Sequence, residues 1–71
     1  MKRIRSTRRE KVHKRLSSLP KAEVQAWGTT CLTGVWRAYE DYEKYGQKDS
    51  LAEIREGLET LHGVIDVLYE R

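Results

Sequence analysis

The stretch Leu51-Ala52-Glu53-Ile54-Arg55-Glu56-Gly57-Leu58-Glu59-Thr60-Leu61-His62-Gly63-Val64-Ile65-Asp66-Val67-Leu68-Tyr69 decides how this chain folds. Its large aliphatic side chains stand at Leu51, Ile54, Leu58, Leu61, Ile65 and Leu68, with gaps that alternate between three and four residues. A helix turns about 100° per residue, so these side chains gather on one narrow stripe, which is best buried against another helix. Two interlocked heptad tracks make up the seam, one of Leu51, Leu58 and Ile65, the other of Ile54, Leu61 and Leu68. Ser50 and Glu53 have the form of a capping box, which predicts a helix beginning near Leu51 and running to about residue 70. Glu53 and Glu56 suit the positive end of its dipole and Arg71 the negative end. Gly57 and Gly63 oppose the helix, each at a cost of about 1 kcal/mol relative to alanine. That cost marks them as positions where a neighbouring backbone can approach closely.

Working back along the chain, Val24, Trp27, Cys31, Val35, Ala38, Tyr42 and Tyr45 recur every three or four residues, with Leu32 and Tyr39 beside them and Trp36 at the edge. The segment Gly28-Thr29-Thr30-Cys31-Leu32-Thr33-Gly34 has weak helix propensity, but the period outweighs it, because a strand would scatter these side chains over both faces. A helix over about 20–45, a turn at 46–50 and the helix from 51 make an antiparallel hairpin of residues 20–71. Ser17-Ser18-Leu19-Pro20 is a corner, since proline restricts the residue before it and suits the first turn of a new helix. Residues 1–19 are a basic N-terminal arm or short helix. Helix is expected over roughly Thr7 to Leu16, with the first residues unstructured until a ligand binds.

The apolar arc of the first hairpin helix, about 140° wide, exceeds what one neighbour covers. Ile4, Val12, Leu16 and Leu19 give the N-terminal helix only a thin stripe. A chain this short needs a staple, because below about 70–80 residues one core seldom supplies more than about 3–5 kcal/mol. Cys31 has no second cysteine to bridge, and two histidines with one cysteine make a poor metal set, which leaves oligomerisation. The expected fold is therefore all-α: a helical hairpin with a basic N-terminal helix or arm, paired into a dimeric four-helix bundle. A monomeric three-helix bundle is the alternative.

Charge divides the chain sharply. Residues 1–21 carry nine basic side chains against Glu10, a net +8, and residues 22–71 carry five basic against ten acidic, a net −5. Such asymmetry points to a polyanionic partner for the arm, or to docking of the arm on acidic surface elsewhere. Arginine predominates in the arm, and its planar multi-donor head suits phosphates and base edges. Arg3, Arg5, Arg8, Arg9, Lys11, Lys14 and Arg15 are the candidate nucleic-acid contacts, whether to DNA or RNA. Dimerisation would pair two arms and raise their effective concentration on one polyanion.

A second candidate surface lies in Trp36-Arg37-Ala38-Tyr39-Glu40-Asp41-Tyr42, where Trp36, Tyr39 and Tyr42 are residue types that dominate protein interfaces. Packing in a core or dimer interface is the plainer reading of these rings. Their exposure would instead make the chain a helical adaptor or inhibitor that docks on a larger protein. Cys31 falls on the apolar seam with no histidine placed beside it, and Glu53, Glu56, Glu59 and Asp66 lack the inward Glu-x-x-His pairing of helical metal sites. No phosphate loop, zinc spacing or catalytic constellation appears, so neither an enzyme nor a cofactor is expected. No apolar run approaches a membrane span and no hydrophobic segment follows the basic start, which predicts a soluble cytoplasmic protein.

The segment Glu59-Thr60-Leu61-His62-Gly63-Val64-Ile65-Asp66-Val67-Leu68-Tyr69 resembles part of the second helix of the Rop family of plasmid copy-number proteins, which are dimers of helical hairpins that bind paired RNA hairpins. The resemblance implies architecture only. It covers eleven residues, and the first helix here, where that family makes most of its RNA contacts, is not similar.

Overall fold

The computed structural model describes residues 7–71, which form three helices and, among the described residues, no strand. Helix α1 spans Arg8–Leu16, α2 spans Lys21–Tyr45 and α3 spans Lys48–Tyr69. Ile4, Arg3 and Arg5 lie outside the described residues. No described helix is long and apolar enough to cross a membrane.

Each helix has an identifiable start or stop. Thr7 caps α1 through a complete capping box: its hydroxyl accepts from the Glu10 backbone N–H at 3.1 Å, and the Glu10 carboxylate accepts from the Thr7 N–H at 3.3 Å. Pro20, extended at φ −61°, precedes the first residue of α2. The weak segment of α2 is helical throughout, and Thr29 and Thr33 turn their hydroxyls onto the carbonyls of Gln25 and Thr29 one turn back, so they do not compete for the ladder. At its end Gly46 adopts the left-handed conformation, φ 64°, and its N–H closes on Tyr42 O at 2.8 Å.

That glycine overturns the expected start of α3. Only Gly46 and Gln47 separate the helices, and Lys48, Asp49 and Ser50 already belong to α3, with Gln47 at the cap position and no side-chain cap bond. The Ser50–Glu53 capping box does not form. A left-handed glycine reverses the chain so tightly that Ser50 is drawn into the first turn.

α3 is the central helix. α2 packs along one flank and α1 along the other, and the whole is a plate of 40 × 38 × 14 Å, close to a single layer of helices. The core forms where the end of α1, the start of α2 and the second half of α3 converge: Leu16, Val24, Val64 and Val67 are buried there, flanked by Val12, Leu19 and Leu68. The thin stripe of α1 is thus enough to bury Leu16 to 1% exposure. Towards the hairpin turn only Ala38 is buried.

Glycines set the spacing between helices. A Cβ at Gly63 would stand 2.8 Å from both the Arg9 carbonyl oxygen and Val12, and one at Gly57 would stand 2.6 Å from the Val35 side chain. Both are close-approach points, one for α1 and one for α2. The seam itself is only half buried. Ile54, Leu61 and Leu68 are partly covered, but Leu51, Leu58 and Ile65 remain 38%, 39% and 47% exposed. The buried arc of α3 is rotated away from the heptad stripe, because two helices flank α3 where the seam provides for one.

These contacts set opposite signs for two glycine substitutions. Gly63→Ala gains about 1 kcal/mol of helix propensity but forces α1 outward, and overpacking of this kind costs about 1–3 kcal/mol; its melting temperature should fall. Gly34 has nothing within 4 Å of its Cβ position, so Gly34→Ala should gain the propensity alone and melt higher. Thermal denaturation followed by circular dichroism compares the two.

Candidate nucleic-acid interface

The docking of α1 sorts its charges by function. One turn after another, Val12 and Leu16 face the core. Arg9 and His13 fall on one side of that line. Arg8, Lys11 and Arg15, at spacings of three, four and seven, fall on the other. Glu10 and Lys14 point to solvent between them.

The Arg9 side fastens α1 to α3. Arg9 meets Asp66 in a two-point contact, Nε to Oδ2 at 2.6 Å and an Nη to Oδ1 at 2.7 Å, and His13 Nε2 lies 2.7 Å from Glu70 Oε2. Arg71 then reaches across to the end of α1, donating to the carbonyls of Ser17 at 2.9 Å and Leu19 at 2.6 Å. It therefore satisfies carbonyls left open at the α1 corner, where the sequence suggested it would serve the dipole of α3. Of the candidate nucleic-acid residues, Arg9 is thereby committed to an internal partner. Hydrogen bonding to Arg9 holds the Asp66 carboxyl below its ordinary value and raises Arg9.

The Arg8 side builds a cleft. Arg8, Lys11 and Arg15, with Val12 and Leu16 beneath them, line it from α1, Trp27 lines it from α2 and Thr60 from α3 between them, around an open volume of about 370 Å³. Trp27 is 41% exposed. Arg8 also approaches Glu56 at 3.8 Å, longer than a hydrogen bond and between exposed groups, so its guanidinium keeps its donors for other partners. Among the described residues neither Lys11 nor Arg15 has an acidic side chain within 4 Å. An indole facing three cations across a half-apolar floor can stack a planar ring while the cations take phosphate oxygens. In the sequence the spacing of Trp27 puts it on the core seam of α2 and does not mark it as a binding residue. The ring stays open because α1 and α2 each pack on α3 and scarcely touch each other, so α1 passes at the level of Trp27 without covering it.

The aromatic candidates lie elsewhere. Trp36 is 63% exposed and Tyr39 is exposed too, while Tyr42 is partly buried towards α3. The plainer reading of Trp36 and Tyr39 as core packing therefore fails within one copy of the chain: at their level α2 has α3 alone as a neighbour. Cys31 is half-buried, and burial pushes its thiol up, away from the reactive thiolate. No group of three or more His, Cys, Asp or Glu side chains among the described residues is placed to hold a metal ion.

The fold and site together define a small all-α protein with a basic cleft closed by one indole. Comparison with protein-family models, curated proteins and solved structures finds no match to this chain.

The Arg9–Asp66 contact carries a pH dependence. Asp66 titrates lower in the folded chain than in the unfolded one, so its contribution is present above the ordinary aspartate range and is lost as pH falls through its lowered folded value. Acid titration should loosen the seating of α1 on α3 slightly below about pH 4, read as a small increase in hydrogen exchange over residues 8–16, while the packing of Leu16 keeps the helix docked. Asp66→Asn should show that loosening already at neutral pH and a smaller acid step, since the Glu70 carboxylate still meets His13.

Proposed function

We propose that this chain is a small nucleic-acid-binding accessory or regulatory protein, acting as a homodimer in the cytoplasm, that uses the α1 cleft as its contact surface. The observation that carries the reading is the alignment of Arg8, Lys11 and Arg15 on one wall of a cleft whose other wall is the exposed ring of Trp27. Cations alone bind any polyanion weakly, and that attraction fades with salt. An indole set across from them adds a sequence-tolerant stacking surface worth about 1–3 kcal/mol per base. Stacking needs an unpaired base, so the cleft suits single-stranded segments, loops or bulges better than an intact duplex. Arg3 and Arg5 extend the same charge along the chain, and Lys14 stands at its solvent edge.

Deleting the arm would not test this, because Leu16 belongs to the core. Point variants do. Binding of the full chain to fluorescent single-stranded and duplex DNA and RNA is measured across a salt series. Lys11→Ala/Arg15→Ala should lower the salt slope by about 2, and Trp27→Ala should weaken binding to single strands by about 1–3 kcal/mol while leaving the slope unchanged. Equal, weak binding by all variants would reduce the cleft to generic charge.

The exposure of Trp36 favours a second reading, a helical adaptor or inhibitor that binds a larger protein through Trp36, Tyr39 and Tyr42. In that case Trp36→Ala abolishes partner binding, and the cleft variants spare it.

A further inference from the structure

The side of the hairpin turned away from α1 carries an apolar surface that no part of the chain covers. At about 100° per residue, Leu32, Trp36 and Tyr39 lie on the side of α2 opposite to Trp27 and Gly34, which face the α1 side. On α3 the exposed track Leu51, Leu58 and Ile65 lies on that same far side, away from Gly63 and Thr60. All six side chains are exposed. The track extends 14 residues, about 21 Å, across two helix widths, on the order of 400 Å² in projection. A monomer seldom leaves so large an apolar patch open.

We infer that this surface is the seat of a second copy of the chain, stacked so that α2 of each copy lies antiparallel over α3 of the other. The inference deepens the homodimer within the reading above by assigning its face and register. Three observations select this occupant. First, the chain is one layer, 14 Å thick, whereas a stable domain encloses its core between two layers; a second copy supplies the missing layer. Second, the track repeats every seven residues, the spacing that a helix-on-helix interface reads.

Third, the rims are complementary in charge. Glu40 and Glu43 border the α2 side of the patch, and Lys48 and Arg55 border the α3 side, all exposed. Gly28 faces Val64 and Gly57 faces Val35 across the hairpin, so facing residue numbers sum to 92. By that register Lys48 and Arg55 stand level with Lys44 and Arg37 of α2, which turn roughly 40° and 60° further from the patch than Glu40 does, and Glu40 and Glu43 fall between those two levels on the side nearer the patch. A two-fold axis parallel to the hairpin keeps these levels and brings the acidic rim of one copy onto the basic rim of the other, twice per dimer. A two-fold axis across the hairpin would reverse the levels and lose the match.

The test uses two full-length variants that change exposed side chains only. K48E/R55E has acidic residues on both rims, and E40K/E43K has basic residues on both. Sedimentation equilibrium at low salt should find wild type dimeric, each variant shifted at least tenfold towards monomer, and an equimolar mixture of the two restored to dimer with one copy of each. Circular dichroism checks that each variant keeps its helix. A wild type that stays monomeric at every concentration would overturn the homodimer altogether and leave the face to a foreign protein. A dimeric wild type whose variants still self-associate, or whose mixture yields no mixed dimer, would overturn this face and register alone. Binding by the α1 cleft is measured separately on single strands, so its failure would not be mistaken for either result.

Discussion

Val12 and the Arg9 carbonyl lie so near the α3 backbone at Gly63 that a single methyl group there would meet both at 2.8 Å. This contact sets the position of the whole N-terminal helix. With α1 seated at Gly63, Leu16 reaches Val24, Val64 and Val67 and the core closes. The same seating aims Arg9 at Asp66, and so turns Arg8, Lys11 and Arg15 towards Trp27. A larger residue at position 63 would therefore disturb packing, the ion pair and the cleft together, although it touches only the first of these. The cost of glycine in a helix interior, about 1 kcal/mol, is offset by the close packing that it permits.

Electrostatics do two separate things along one nine-residue helix. The contacts to Asp66 and Glu70, with Arg71 returning to the α1 corner, lie at the same end as the core and close it off on the polar side. The opposite edge of α1 keeps its cations beside an indole. The contrast between a basic first third and an acidic remainder thus resolves in part within the molecule, as α1 docks on acidic residues of α3. Exposed ion pairs of this kind stabilise little individually. Their role is orientation, since a two-point guanidinium–carboxylate contact restricts rotation of α1 about its own axis.

Periodicity made three helices, their approximate extents and the antiparallel hairpin legible in the sequence, even through Gly28 to Gly34, where propensity argues otherwise. Thr7 and Glu10 have the same capping-box spacing as Ser50 and Glu53, although only the second pair, ahead of a strong apolar seam, marked a helix start in the sequence. What decided between the two was tertiary: a left-handed Gly46 consumed Ser50, while nothing upstream displaced Thr7. The burial of the seam was not legible. Six aliphatic residues at heptad spacing say that a stripe exists, but not which side of it a flanking helix will take. That depended on Gly63 and Gly57, whose missing side chains, rather than any side chain present, decide where α1 and α2 settle. Half of the candidate cleft could be read from the arginines of the arm. The other half, Trp27, could not, because its exposure follows from α3 standing between α1 and α2.

The relative placement of the two open surfaces fixes how many things the molecule can hold, and where. The cleft and the apolar face look out from opposite sides of a plate only 14 Å thick. Pairing through the apolar face therefore sends the two clefts outward, back to back, with the full double layer between them. Under the proposed function such an assembly would have a valence of two and would keep both clefts from gripping neighbouring nucleotides of one short strand. It would act as a crosslink, holding two strands, or two distant parts of one, on either side of a slab of protein.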